Sequence, residues 1–275
     1  MFFVMIEIEL IDVEHDVKVG SKCDLIEPNV TEDCIFTYKG EKVGFYIRDV
    51  AKYSKKLSNL LAIANVEFRS ERVPKTVMAR TSAMKGHLKT KWEGSGEVAD
   101  VKQLSTIIGS IAPKNFGRRP YASKSSVHLV KSAIPFVRAM LLTNREAEKL
   151  VKKILPEQYA KQIKLIEEFV PEKWRFGKLF TSSISNYNIP APFHRDTGNI
   201  VGCINIILTK RKNSQGGNLN VPDYGATIEQ CDNSMLVYPA WRNVHGVTPI
   251  IPTRDGGYRN SLIFYPLKTF KGLEK

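Results

Sequence analysis

His194-Arg195-Asp196, His245 and Arg259 are the residues of this chain whose types and order bear chemistry. Two imidazoles and one carboxylate on one face of a metal ion leave positions open for a co-substrate and for oxygen, the arrangement around non-haem Fe(II). In an extended segment residues i and i+2 point the same way, so His194 and Asp196 reach one ion from a single stretch of backbone. His245 stands at the opening of a β-like run near the end of the sequence and supplies the third ligand from elsewhere in the sheet. Arg259 is one hairpin further on. Its planar guanidinium suits the distal carboxylate of 2-oxoglutarate, a two-pronged contact that lysine does not reproduce. Ser261 shares the strand face of Arg259 and adds a hydroxyl. The other histidines, His15, His87 and His128, have no such company and read as ordinary surface or core residues.

These side chains need a scaffold of short strands. From Lys178 onward the sequence alternates β-like runs (Lys178–Tyr187, Ile200–Leu208, Gly217–Val221, Ala226–Gln230, Ser234–Tyr238, Val244–Ile251, Tyr258–Pro266) with turn signals such as Gln215-Gly216-Gly217 and Asp255-Gly256-Gly257. Closely spaced short strands predict a sandwich or jelly roll. Helices are predicted before it: Arg48–Ala64, Glu97–Ala112 ended by Pro113, Ser126–Met140 broken at Pro135, Thr143–Val151 and Glu157–Phe169. Thr143 followed three residues later by Glu146 reads as a capping box. The fold class is therefore α+β, helices packing on one sheet. We divide the chain into residues 1–70, a β-rich extension without an assignable role, and residues 71–275, the main domain. Within the latter, 71–176 is a basic, mostly helical support and 177–275 the β core.

The 275 residues are 43% hydrophobic and 25% charged, ordinary for a globular protein with a real core. No apolar run is long enough to span a bilayer, so no membrane partner is expected. The N-terminal apolar run carries glutamates and reads as a strand, not a leader. Four cysteines without metal-site or disulfide spacing point to a reduced, intracellular setting. The net charge of +13 is uneven: Arg72 to Lys131 holds twelve basic residues against three acidic ones. Such a stretch suits a polyanion, because Lys and Arg gain affinity by displacing the counterions of phosphates.

At the chemistry-bearing residues the sequence resembles the TET/J-binding-protein branch of the 2-oxoglutarate- and Fe(II)-dependent dioxygenases. The resemblance runs through Thr181-Ser182-Ser183-Ile184-Ser185-Asn186-Tyr187-Asn188 into Phe193-His194-Arg195-Asp196-Thr197-Gly198-Asn199. It continues in Gln215-Gly216-Gly217-Asn218-Leu219, in His245-Gly246-Val247-Thr248-Pro249-Ile250 and in Arg259-Asn260-Ser261-Leu262-Ile263-Phe264-Tyr265. It covers roughly residues 177–267, with an echo at Phe116-Gly117-Arg118-Arg119-Pro120, and leaves out residues 1–70. The cysteine-rich zinc-binding portion of the animal members has no counterpart.

The resemblance implies a double-stranded β-helix with buttressing helices, Fe(II) as metal, and 2-oxoglutarate and O2 as co-substrates. It implies hydroxylation of the 5-methyl group of a pyrimidine in DNA, 5-methylcytosine or thymine, with release of succinate and CO2. A methyl group in a duplex cannot reach a buried metal, so the base must be flipped or single-stranded. Asn186, Tyr187 and Asn188, just before the metal pair, are the candidates for holding the base. Arg118 and Arg119 are those for the phosphates. Two other readings stand beside this one: a 2-oxoglutarate hydroxylase of a protein side chain or free nucleotide, and a non-catalytic DNA-binding module. The sequence leaves the choice of base and the oligomeric state open.

Overall fold

Residues 5–77, 89–91, 98–100, 102–113 and 120–273 are described by the computed structural model of the chain. In chain order the first strands are β1 (Ile6–Glu9), β2 (Cys34–Tyr38), β3 (Glu41–Ile47), β4 (Thr76–Val77), β5 (Lys89–Lys91), β6 (Val98–Asp100), β7 (Leu104–Ile111) and β8 (Ser123–Lys124). Then come β9 (Ser182–Tyr187), β10 (Ala191–His194), β11 (Asn205–Lys212), β12 (Ser214–Gly216) and β13 (Leu219–Val221). The last are β14 (Ala226–Ile228), β15 (Ser234–Tyr238), β16 (His245–Val247), β17 (Ile250–Pro252) and β18 (Tyr258–Tyr265). The α-helices are α1 (Lys55–Arg69), α2 (Ile134–Ile154) and α3 (Pro156–Phe169).

A large sheet runs in the order β1-β2-β3-β15-β11-β18-β9-β7-β4, with β8 paired to β7. A smaller sheet, β10-β16-β13-β14, faces it, and β12-β17 forms a separate ribbon. Alternation along each strand sorts the side chains of the large sheet onto its two faces. On β18, Leu262 and Phe264 join the core beneath the helices, together with Leu57, Leu61 and Phe68 of α1 and Phe136 and Met140 of α2. Full burial of each such side chain contributes roughly 1.5–3 kcal/mol. The alternate residues, Arg259, Ser261 and Ile263, face a cavity between the sheets. A polar seam runs through the helix side: Asn65 of α1 donates to Tyr258 Oη (3.0 Å) and accepts from Asn260, which in turn accepts from Ser185 of β9. Every buried amide of this seam is engaged across two or three elements, so α1 docks in one register.

Three expectations are corrected. Among the described residues Glu97–Ala112 shows no helix: Leu104–Ile111 is strand β7, its Leu104–Gly109 stretch paired with β9. Its isoleucines fit either period, but Thr106, Ile107, Ile108 and Ile111 are β-branched, and Gly109 adopts φ +89° where a Cβ would lie 2.8 Å from Thr181 O. Thr143 caps nothing. It is buried inside the single helix α2, which starts at Ile134 with Pro135 tolerated in its first turn. Glu146 pairs with Lys149 (2.7 Å) and Lys56 (3.0 Å) instead. Lastly, the division at residue 70 marks no structural break. β3 is hydrogen-bonded to β15 inside the large sheet, and the region after residue 70, read as mostly helical, supplies β7 to that sheet. All four cysteines are free, and no described helix is long and apolar enough to cross a membrane.

Candidate metal and co-substrate site

β10 and β16 are antiparallel neighbours with His194 opposite His245, which brings the two imidazole rings to 4.3 Å between centroids. Asp196 follows the end of β10, its Oδ1 3.6 Å from His194 Nε2. One ligand atom from each of the three residues lies within 4.8 Å of the others. Both histidines are held in the same tautomer. His194 Nδ1–H donates to Pro192 O (2.7 Å) and His245 Nδ1–H to Asn243 O (3.0 Å), so each Nε2 presents a lone pair. Burial, then the neighbouring His194, push the pKa of His245 down, which keeps its imidazole neutral and fit to ligate. Asp196 Oδ2 accepts from Asn205 Nδ2 (3.1 Å), itself held by Asn199 Nδ2 on Asn205 Oδ1 (3.0 Å), leaving Oδ1 for an ion. Two neutral imidazole nitrogens and one fixed carboxylate oxygen are a donor set that fits Fe(II).

The triad opens on a cavity of about 280 Å³, near the lower end of the roughly 300–1,000 Å³ range of ligand pockets. Ile184, Ile207, Leu219, Val247 and Ile263 give it apolar walls, and Asn186, Tyr238, Arg259 and Ser261 give it polar points. Arg259 is 2% exposed, its Nε has no hydrogen-bond partner, and among the described residues it makes no ion pair. Burial, with Arg211 beside it, pushes the Arg259 pKa down to about 9. Arg211 is the residue directly opposite across β11 and β18, but its guanidinium is spent on carbonyls: Ser214 O, Gly216 O (3.0 Å) and Gln230 O (2.9 Å). Arg259 is therefore a buried cation still lacking its anion, in the cavity that also holds the ligand set.

The backbone around Arg259 is built for it. Gly217 (φ +68°) lies so close that a Cβ would fall 2.5 Å from Arg259 Cδ, which explains the Gly216-Gly217 pair at this point in the sequence. Asn188, in the left-handed region at φ 55°, brackets the residue: its N–H donates to Arg259 O (2.8 Å), and its Oδ1 accepts from Arg259 N (2.9 Å). Ser261 Oγ donates weakly to Asn186 O (3.4 Å).

His194, Asp196, His245, Arg259, Ser261 and Asn186 are thus brought to one cavity. Tyr187 and Asn188 are not. Tyr187 points to the opposite face of the sheet, where it stacks on Tyr258 at 5.4 Å between centroids, and Asn188 is a backbone clamp. Alternation explains this, since only one of two successive strand residues can face the cavity. Arg118 and Arg119 lie outside the described residues, as does much of the basic stretch. Sequence reasoning missed Asn199 and Asn205. Asn199 did carry a signal, as the second residue of the Gly-Asn pair after Asp196; Asn205 carried none.

No family profile matches the chain, and no curated protein matches it in sequence. Among solved structures it is similar to NgTET1 in complex with 5mC DNA, with TM-score 0.55 and 13% identity over 94% of this chain and 84% of that one. It also aligns with a 2OG-Fe(II) oxygenase family protein from Burkholderia pseudomallei (TM-score 0.43, 11% identity, 83% and 89% of the two chains). A protein assigned to the same family from Caulobacter crescentus gives TM-score 0.44 at 14% identity, over 82% and 77%. The chain has the fold of NgTET1, a double-stranded β-helix with helices packed on its large sheet.

Proposed function

We propose that the protein is a 2-oxoglutarate- and Fe(II)-dependent dioxygenase that hydroxylates the 5-methyl group of a pyrimidine in DNA. One observation carries the oxygenase reading: a buried, anion-less guanidinium shares a cavity with a two-histidine, one-carboxylate ligand set. When bound, Fe(II) supplies oxygen activation coupled to conversion of 2-oxoglutarate to succinate and CO2. The chain's own residues do the rest. His194, Asp196 and His245 would hold the ion. Arg259 and Ser261 take the distal carboxylate, and the apolar wall of Ile184, Ile207 and Ile263 keeps the reacting end dry. The carboxylate of Asp196, retained as a ligand, favours hydroxylation over transfer of a halide.

The DNA reading is supported by the fold shared with NgTET1, whose solved complex holds 5mC DNA, and by the net charge of +13. The base enters flipped or single-stranded. Asn186 is the candidate for its pairing edge, because its Oδ1 is buried without a partner and its side chain lines the cavity. Arg118 and Arg119 are the candidates for phosphate. The experiment is incubation with Fe(II) and 2-oxoglutarate on thymine-only DNA and on 5-methylcytosine DNA, read by nucleoside mass spectrometry. A gain of one oxygen on one of the two bases is expected, and charge reversal of Arg118 and Arg119 should cripple it. If neither base gains oxygen while a free nucleotide or a peptide does, the DNA assignment falls and the oxygenase assignment stands.

A further inference from the structure

The acceptor of the His245 Nδ1 proton is the carbonyl of the Asn243–Val244 peptide. The N–H of that same peptide, on Val244, donates to Asp223 Oδ2 (3.2 Å), and Asn243 Nδ2 donates to the same oxygen (2.8 Å). The other carboxylate oxygen accepts from His15 Nε2 (2.7 Å), whose Nδ1 accepts from Val17 N (3.1 Å) and so leaves the proton on Nε2. An unbroken chain of hydrogen bonds therefore runs from the N-terminal segment through Asp223 and one peptide unit to a metal-ligating histidine.

We propose that Asp223 is a positioning residue of the metal centre, polarising through the Asn243–Val244 peptide the carbonyl that holds the His245 Nδ1 proton. A negative charge at the N–H end of a peptide pushes electron density onto its oxygen, and hydrogen bonds in such a chain strengthen one another. A stronger acceptor at Nδ1 makes Nε2 a better donor to a cation and fixes the ring plane. This is the effect of a carboxylate bonded directly to a metal-bound histidine, here transmitted across one amide. His194 offers an internal comparison. Its acceptor, Pro192 O, belongs to the Pro192–Phe193 peptide, whose N–H donates to Ser21 O (2.9 Å), a neutral carbonyl. Both histidines are thus backed through a peptide by a second layer, but only His245 is backed by a charge. Residues of the N-terminal segment take part in both, through Ser21 and His15. The segment also packs Cys23 against Gly246, where a Cβ would lie 2.8 Å from the Cys23 Cβ.

The inference rests on the metal reading above, and its test separates the two. Co(II), which resists oxidation, is titrated into the full apo-protein and followed by its visible absorption, for wild type and Asp223→Asn. The variant keeps the shape of the side chain and an acceptor for Asn243 and Val244, but not the charge. We expect Co(II) affinity to fall by about 10-fold or more, with the apo melting temperature unchanged. In the Co(II) protein the shifted Nδ1 proton resonance of His245 should move while that of His194 stays. Wild-type affinity with both resonances in place overturns the relay. A wild type that takes no Co(II) overturns the metal centre and the relay with it. Should Asp223→Asn not fold, Asp223→Glu against Asp223→Ala decides: affinity retained better by the variant that keeps the charge supports the relay, and an equal loss in both overturns it.

Discussion

Asp196→Ala should lose at least about 100-fold in Fe(II) or Co(II) affinity, more than the roughly 10–100-fold that loss of an outer partner costs. The variant removes the only carboxylate among the three ligands and leaves two neutral imidazoles facing the ion. Calorimetric titration of the apo-protein checks it. The stability of the apo-protein should change little, because Asp196 is about one-third exposed and contributes mainly its contacts with Asn205 and Asn199. Folding and metal binding therefore separate in this variant: a normal melting curve with no tight metal site. A melting temperature that collapses together with the affinity would mean that Asp196 is a structural residue and that the triad is incidental.

Arg259→Met is expected to act in opposite directions on binding and on stability. Losing one partner of a buried charge pair costs about 2–5 kcal/mol, so at tenfold per 1.4 kcal/mol 2-oxoglutarate should bind about 30- to 5,000-fold more weakly. Metal affinity should stay, since the guanidinium is no ligand. A 2-oxo acid without the distal carboxylate, such as pyruvate, should bind wild type and variant alike, which separates loss of the clamp from damage to the cavity. Without ligand, Arg259 is buried, carries an unpartnered Nε and has a second arginine opposite it, and burial with that neighbouring charge pushes its pKa down to about 9. Replacing an unpaired buried charge by an apolar side chain of similar length removes a desolvation cost of several kcal/mol. The apo-variant should therefore melt higher than wild type. A lower melting temperature with undiminished 2-oxoglutarate binding would remove Arg259 from the site.

The residues legible in the sequence were those whose placement depends on strand alternation alone. His194 and Asp196 two apart, and Arg259 and Ser261 two apart, needed only the period of an extended chain to be put on one side. His245 needed the further expectation that a late strand would return beside β10, and the resemblance supplied it. The same alternation should have excluded Tyr187 once Asn186 was chosen, because neighbours in a strand face opposite ways. Elsewhere local pattern was ambiguous. Leu104, Ile107, Ile108 and Ile111 satisfy a helical stripe and a strand buried on both faces equally well; the decision fell to β9, whose hydrogen bonds β7 completes. The Thr143–Glu146 pair has the form of a helix start, yet the apolar stripe of α2 runs through it and packing prevailed over local capping.

What supports the site was not legible, since it is made by long-range hydrogen bonds. Asn205 reaches Asp196 from the first residue of β11, and His15 reaches Asp223 from the far end of the chain. Nothing in the local spacing of these residues distinguishes them from any other buried amide or surface histidine. In the sequence His15 reads as an ordinary residue, and residues 1–70 as an extension without a role. The structure gives them a place behind the two histidine strands, through bonds from Gly20 to Phe193 O and from Phe193 to Ser21 O. The two histidines stand on short neighbouring strands of a four-stranded sheet, and the second layer of hydrogen bonds fixes the orientation of their rings.

One cavity is expected to hold Fe(II) on His194, Asp196 and His245 and 2-oxoglutarate on Arg259 at the same time. The most direct test is the visible spectrum of the full-length protein under anaerobic conditions, with Fe(II) and 2-oxoglutarate added together. The expected result is the weak metal-to-ligand charge-transfer absorption that arises when a 2-oxo acid chelates Fe(II), present in wild type and absent in Asp196→Ala. A wild-type protein that gives no such band with both additions present contradicts the account.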